Sequence, residues 1–112
     1  MHIMSSFDIA TLPAPLGEYF TAADHAATAH LFADDAEVHD EGEQHVGSAA
    51  ITAWLASVEA RYHPRYVVEA AHITGSTTEV SFTVSGTFPG SPARLRQTIT
   101  TANNRITGLR TL

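Results

Sequence analysis

Apolar positions recur at helical spacing in the first half of the chain and predict three helices. The first is short and tolerates Pro13 and Pro15 because both would lie in its first turn. For the second helix, which would end at Leu31 and Phe32, Asp24 is a suitable N-cap. The apolar stripe of the first helix is Leu12, Leu16, Tyr19, Phe20 and Ala23.

The third predicted helix spans about residues 48 to 62. It should end at His63, because a residue that precedes a proline, here Pro64, is biased out of helical geometry. Its apolar residues fall at the spacing of one helical face: Ile51, Trp54, Leu55, Val58 and Tyr62.

Strand patterns dominate after residue 64. Segments at 65–73, 93–101 and 105–112 are rich in strand-forming residues, and Val80, Phe82 and Val84 alternate with hydroxyl residues. The turns between these strands are predicted at Gly75-Ser76, at the segment PGSP that begins at Pro89, and at Asn103-Asn104. Helices followed by antiparallel hairpins predict an α+β domain in which helices cover one face of a curved sheet.

Residues 31–55 connect these two halves and contain the candidate chemistry. A helical end is expected to run into an acidic turn at Asp34-Asp35 and then into a short β-like stretch, Glu37 to Asp40. Asp40 would then lie at the end of an extended segment, close to a helix that carries aromatic residues inward. A carboxylate beside an apolar wall is typical of sites that raise the basicity of a carboxylate.

The sequence FADDAEVHDEG, the glycine that follows and the AAI-AWL helix resemble the SnoaL-like polyketide cyclases and ketosteroid-isomerase-like proteins of the nuclear transport factor two superfamily. The segments VSGTFPGSP and Asn104-Arg105-Ile106 extend the similarity to Leu12 through Leu112. The resemblance implies three N-terminal helices on a strongly curved, mainly antiparallel sheet, a cone-shaped α+β barrel. It also implies an internal pocket and a two-fold homodimer. Residues 1–11 would extend a single domain of residues 1–112.

The resemblance also implies roles for individual residues. Asp40 matches the general base of the isomerase-like enzymes, and Tyr19 matches a tyrosine that donates to the substrate oxygen. The alternatives are a strand-end aspartate that caps a turn and a tyrosine packed in the core. His39 could act as an acid or base, since histidine titrates near neutral pH, or be an exposed strand residue. The chain departs from the family where a late acidic residue is expected, because that region offers Arg94, Arg96, Gln97 and threonines.

Four further residues are candidates for the wall of a ligand pocket: Phe32, Trp54, Tyr62 and His72. The aromatic residues have core positions as their alternative, and His72 could instead satisfy a sheet edge. A mainly apolar wall suits a small apolar carbonyl compound. We expect no metal site, because His39 and Asp40 point to opposite faces of a strand, and no cofactor.

Composition narrows the classes of partner. The 112 residues suffice for one domain, and the net charge of -6 with no lysine argues against nucleic-acid binding. No apolar run approaches the roughly 18 residues of a membrane span. Cysteine is absent, which fits a reducing cytoplasm, and we expect a cytoplasmic protein.

Two functional hypotheses follow. The first is a small isomerase, cyclase or lyase that uses acid-base chemistry through Asp40. The second is a non-catalytic ligand-binding or dimerisation domain of the same fold. In either case the homodimer should form through the hydroxyl-rich sheet face that carries Ser81, Thr83 and Ser85.

Overall fold

The computed structural model describes residues 7–112. These residues contain two α-helices, α1 (Leu16–Thr21) and α2 (Ser48–Tyr62), and two 3₁₀ helices, Ile9–Thr11 and His25–Leu31. The strands are β1 (Phe32–Asp40), β2 (Glu43–Val46), β3 (Arg65–Thr74), β4 (Thr77–Ser85), β5 (Ala93–Ala102) and β6 (Arg105–Thr111).

The six strands form one sheet in the order β2-β1-β6-β5-β4-β3. Strand β1 pairs with β6 in parallel, and all other neighbouring strands are antiparallel. The helices pack on this curved sheet, so the predicted α+β class with a mainly antiparallel sheet is confirmed. No helix among residues 7–112 is long and apolar enough to cross a membrane.

The helices differ in type and order from the three N-terminal helices that the sequence predicts. The second is a 3₁₀ helix, although Asp24 caps it as predicted by accepting from the Ala26 N–H at 2.9 Å. The Thr28 hydroxyl donates to the carbonyl of His25, three residues earlier, which favours the tighter winding. Helix α2 comes only after the β1–β2 hairpin, so two strands precede it.

The prediction of an acidic turn at Asp34-Asp35 is wrong, because both residues belong to a strand. Strand β1 begins already at Phe32, and its pairing with β6 is irregular between Phe32 and Glu37. Phe32 lies opposite Ile106 and Glu37 opposite Gly108, so β1 uses more residues than β6 over the same length. Such a bulge leaves both aspartates exposed without ending the strand.

Helix α2 has the predicted bounds and the predicted face. Ile51, Trp54, Leu55 and Val58 are buried against the sheet. Its last N–H bond runs from His63 to the Glu59 carbonyl at 3.0 Å, and His63 adopts a left-handed conformation just before Pro64. The proline therefore ends the helix, as expected from the sequence.

The predicted hairpins and the alternation in β4 are also confirmed. Val80, Phe82 and Val84 are buried, whereas the intervening Ser81 and Thr83 are partly exposed. The β5–β6 turn places Asn103 and Asn104 at positive φ, which asparagine tolerates better than most residues.

The segment regarded as an N-terminal extension reaches the core in part. Phe7 and Ile9 pack against the buried cluster, which includes Leu12, the residue that follows the segment. Residues 1–6 of the predicted extension lie outside the described residues.

Candidate active site

A pocket of about 590 Å³ opens between α2 and the sheet. Strand β1 contributes its last residue, and the loop between β4 and β5 forms part of the rim. The lining is mostly apolar and aromatic: Asp40, Glu41, Gly42, Trp54, Val58, Tyr62, Pro64, Tyr66, Phe82, Val84, Phe88, Pro89, Ala93, Leu95, Gln97, Thr111 and Leu112.

The pocket wall carries two carboxylates, of which Asp40 is partly buried and Glu41 is exposed. Asp40 ends β1, opposite Glu43 of the hairpin partner, and is half-buried. Its Oδ2 atom accepts a hydrogen bond from the Trp54 indole Nε1 at 3.2 Å. The ion pairs of the described chain use other carboxylates, so the Asp40 charge is not neutralised by a protein cation.

Two tyrosines lie close enough to Asp40 for its charge to affect them. Burial is the main cause that raises the pKa of both Tyr19 and Tyr66, and the negative charge of Asp40 adds to each increase. Their rings are 6.4 Å apart and nearly parallel. Both phenols therefore remain protonated near neutral pH, and each can donate a hydrogen bond.

A buried histidine lies behind this wall. The His25 ring is 5.5 Å from Tyr66, 5.2 Å from Tyr19 and 6.1 Å from Trp54, measured between ring centroids. Burial lowers the pKa of His25 to about 4, against the opposing effect of the carboxylates Glu59, Asp40 and Asp24. His25 is therefore neutral near pH 7.

Several buried polar atoms near the pocket have no hydrogen-bond partner within the described chain. They include the Tyr19 hydroxyl, His25 Nε2 and Gln97 Oε1. Gln97 lines the pocket, and its Nε2 donates to the Thr111 hydroxyl at 3.1 Å. The Gln97 side chain also lies near enough to Tyr19 to lower its pKa slightly, against the larger effect of burial. Unpaired buried polar atoms are uncommon, and one explanation for them is a bound group.

The rim of the pocket is held by contacts between α2 and two loops. The Tyr62 hydroxyl donates to Glu41 Oε1 at 3.1 Å, and an Arg61 guanidinium nitrogen lies 3.8 Å from Glu41 Oε2. On the other side the Tyr62 ring meets Phe88 edge to face, with centroids 5.7 Å apart. The backbone N–H of Thr87 donates to the Tyr62 carbonyl at 2.8 Å.

Comparison with known families agrees with this architecture, in which helices cover a sheet and an apolar pocket has an aspartate at its edge. The model of the SnoaL-like domain matches residues 17–108. The chain belongs to the SnoaL-like domain family. No curated protein sequence matches it at a significant level.

Solved structures extend the comparison. A candidate polyketide cyclase from Sinorhizobium meliloti is 32% identical, with a TM-score of 0.87 over 95% of this chain and 100% of that chain. A protein from Catenulispora acidiphila with a ketosteroid isomerase-like fold, in complex with trimethylamine, is 21% identical, with a TM-score of 0.70 over 96% of this chain and 86% of that chain. A candidate isomerase of the SnoaL-like family from Agrobacterium tumefaciens is 15% identical, with a TM-score of 0.67 over 84% and 86% of the two chains.

The structure brings only some of the residues expected from the SnoaL-like resemblance to the pocket. Asp40, Trp54 and Tyr62 line it. Tyr19 does not, but its buried ring lies behind Tyr66. Phe32 is buried in the core, 6.5 Å from the Trp54 ring.

The other two candidates lie elsewhere in the SnoaL-like fold. His39 lines a groove on the opposite face of the sheet, because successive strand residues point to opposite sides. His72 is exposed on the edge strand β3 and does not line the pocket. Among residues 7–112, no group of three His, Cys, Asp or Glu side chains could hold a metal.

Three residues of this SnoaL-like site were not among the sequence candidates: Tyr66, Gln97 and His25. Strand alternation could have indicated the first two, since Tyr66 shares its face with Val68, and Gln97 shares its face with Ile99. For His25 the sequence carries no comparable signal, because its burial depends on packing between α2 and β3.

Proposed function

We propose that this SnoaL-like protein is a small-molecule enzyme that uses Asp40 as its proton acceptor. The reaction would be an isomerisation, cyclisation or lyase reaction on a small apolar carbonyl compound bound in the pocket. The observation that carries this proposal is a carboxylate that accepts a hydrogen bond from Trp54 at the wall of an aromatic cavity and pairs with no cation of residues 7–112.

Asp40 has the geometry that a general base needs. Trp54 engages Oδ2 and fixes the side chain, while Oδ1 makes no hydrogen bond within the described chain. The free oxygen can accept a proton from carbon or from water. Partial exclusion of water would strengthen each electrostatic interaction between this carboxylate and a bound substrate.

Neutral donors complete the proposed chemistry. Loss of a proton beside a carbonyl leaves negative charge on the carbonyl oxygen, which a hydrogen-bond donor stabilises. Tyr66 lines the pocket, and its raised pKa keeps its hydroxyl protonated. Tyr19, which the resemblance suggested for this role, would act from behind Tyr66 and Gln97. His39 takes no part in this proposal, because it faces the opposite side of the sheet.

The relatives support the reaction class. The candidate polyketide cyclase shares 32% of its residues with this chain over its full length. The sheet would close as a cone around the apolar side of a substrate, as the resemblance implies.

Proton exchange offers a test that needs no knowledge of the natural substrate. Small cyclic ketones would be incubated with the protein in D₂O, and exchange of the protons beside the carbonyl would be followed by NMR. We expect exchange above the buffer rate, and Asp40→Asn should lower it by roughly 10² to 10⁴-fold, the usual contribution of a positioned base. Asp35→Asn, which removes an exposed carboxylate on the same strand, is the matched control.

A second candidate function is non-catalytic ligand binding or dimerisation. It is favoured by one observation. The late strands give the pocket Gln97 and Thr111, whereas the resemblance implies an acidic group in this region. On this reading Asp40→Asn would change ligand affinity, and no ketone would exchange faster than in buffer.

The same proposal includes a homodimer and a cytoplasmic setting. The outer face of the sheet is polar and ordered by ion pairs, with Arg94 3.2 Å from Glu69 and Arg96 2.8 Å from Glu79. Thr83 donates to Glu69 on this face, which the resemblance makes the dimer surface. The absence of cysteine supports a reducing compartment.

A further inference from the structure

The charged atoms of the pocket lining are all hydrogen-bond acceptors, namely the carboxylate oxygens of Asp40 and Glu41. Three side-chain donors of the lining are engaged, because Trp54 donates to Asp40, Tyr62 to Glu41 and Gln97 to Thr111. The neutral hydroxyls of Tyr66 and Thr111 have no acceptor within the described chain and carry no charge. We infer that the ligand of this pocket is an apolar compound that carries a protonated amine.

The charge of the lining favours a cation. Two carboxylates, Asp40 and Glu41, belong to the wall, and no lysine, arginine or histidine of residues 7–112 lines it. Arg61 lies 3.8 Å from Glu41 at the rim, and no cation of the described chain forms an ion pair with Asp40. A pocket of one sign of charge with apolar walls concentrates ligands of the opposite sign.

Gln97 supplies an independent indication. The residue is buried, with a relative exposure of 5%, and its Oε1 atom has no donor within hydrogen-bond distance in the described chain, although the Tyr19 hydroxyl lies nearby. An unpaired buried acceptor costs free energy unless a ligand or water supplies an N–H or O–H. An ammonium group brings N–H donors and no acceptor, so it matches this atom and the carboxylates at once.

The apolar wall suits a cation as well. It includes five aromatic rings, which belong to Trp54, Tyr62, Tyr66, Phe82 and Phe88. The faces of such rings attract ammonium groups, most strongly where water is excluded. One ring already shows the preference, since the Arg61 guanidinium carbon lies 4.8 Å above the centre of the Tyr62 ring.

This inference takes from the proposed function only the assignment of the pocket as the ligand site. It does not depend on proton transfer by Asp40, and a binding measurement tests it without turnover. If the protein fails the proton-exchange assay but binds cations selectively, the proposed enzymatic function is refuted and the inference of an amine ligand is supported. If the protein catalyses proton exchange but does not prefer cationic ligands, the enzymatic function is supported and the amine ligand is refuted.

The experiment compares three ligands of nearly equal shape: benzylammonium, benzyl alcohol and benzoate. Trp54 is the only tryptophan of the chain and lines the pocket, so its fluorescence reports binding directly. We expect benzylammonium to bind at least about tenfold more tightly than benzyl alcohol, and benzoate to bind most weakly.

Variants assign the selectivity to the pocket. Asp40→Asn should lower the affinity for benzylammonium by about tenfold or more and leave benzyl alcohol nearly unchanged. Glu41→Gln should act in the same direction and more weakly, because Glu41 is exposed. Asp35→Asn makes the same change in net charge on the outer face and should alter neither affinity. Thermal unfolding of each variant confirms that the pocket is folded.

Three results would overturn the inference. The first is that benzyl alcohol binds as tightly as benzylammonium or more tightly. The second is that Asp40→Asn lowers the affinity for both ligands equally. The third is no saturable binding of benzylammonium at roughly 10 mM, a concentration that detects even millimolar affinities.

Discussion

Trp54 donates its indole N–H to the Asp40 carboxylate at 3.2 Å, which joins helix α2 to the end of strand β1 across the pocket wall. The same indole packs its ring against His45 on one side, with centroids 5.8 Å apart, and against His25 at 6.1 Å. Trp54 is therefore both a core residue, only 7% exposed, and the group that orients the candidate base.

Two substitutions of Trp54 separate these roles. Trp54→Ala should lower the free energy of unfolding by about 3 kcal/mol, near the low end for a large aromatic residue because one side faces an open cavity. Trp54→Phe keeps most of the packing but removes the N–H, and it should cost about 1 to 2 kcal/mol. Urea unfolding followed by circular dichroism measures both. Equal costs for the two variants would show that the ring itself contributes little.

Gly86 is required by a close backbone approach. A Cβ atom at this position would lie 2.1 Å from the Tyr62 carbonyl oxygen, where Thr87 also bonds. Gly86→Ala must displace the β4–β5 loop from α2, at a cost of about 2 kcal/mol or more, and it should disturb ligand binding at the rim.

Gly17 in helix α1 provides the matched control for Gly86. A Cβ atom there would meet its nearest neighbour, the Ile9 carbonyl oxygen, at an ordinary 3.5 Å. Gly17→Ala should therefore be neutral or stabilise the fold by up to about 1 kcal/mol. Comparable losses at both glycines, measured by thermal unfolding, would contradict the steric explanation.

Burial of His25 predicts a specific loss of stability in acid. Its pKa is about 4 in the folded protein and 6.5 when unperturbed, so between these values the unfolded chain binds a proton that the folded chain does not. Stability contributed by neutral His25 is complete above pH 6.5 and falls as the pH decreases toward 4. The loss amounts to at most about 3 kcal/mol.

Replacement of His25 by an apolar ring tests this pH dependence. His25→Phe removes the titrating group, so its stability relative to the wild type should rise steadily from pH 7 to pH 4.5. His30→Gln, at an exposed position, should keep the wild-type slope. Glu59, whose pKa is lowered chiefly by the hydrogen bond from the His25 backbone N–H, adds a further loss at lower pH in both proteins. Parallel curves for wild type and His25→Phe would refute the prediction.

If the protein dimerises through the outer face of the sheet, a substitution on that face should disrupt the dimer. Thr83→Arg places a long cation beside Arg94 and removes the hydroxyl that donates to Glu69 at 2.9 Å. We expect a dimer for the wild type at micromolar concentration and a monomer for this variant in sedimentation. Thr52→Arg, on the exposed side of α2, should leave the dimer intact. A wild-type monomer, or a Thr83→Arg dimer, would exclude this interface.

The sequence by itself determined most of the secondary structure. The face of α2, its end at His63 and the hairpin turns follow from local rules, because apolar period, proline and residues that tolerate positive φ act within a few positions. Asp40 and Trp54 could be proposed as neighbours for the same reason, since both belong to one contiguous segment.

Tertiary structure alone decided the rest. The irregular pairing of β1 with β6 turned a predicted acidic turn into strand, because β6 lies more than sixty residues away in the chain. The burial of His25, the inward position of Gln97 and the placement of His39 and His72 outside the pocket depend on which faces of distant strands and helices meet. Local propensity carries no information on such contacts, so the acceptor-rich lining of the pocket appeared only when the sheet was assembled.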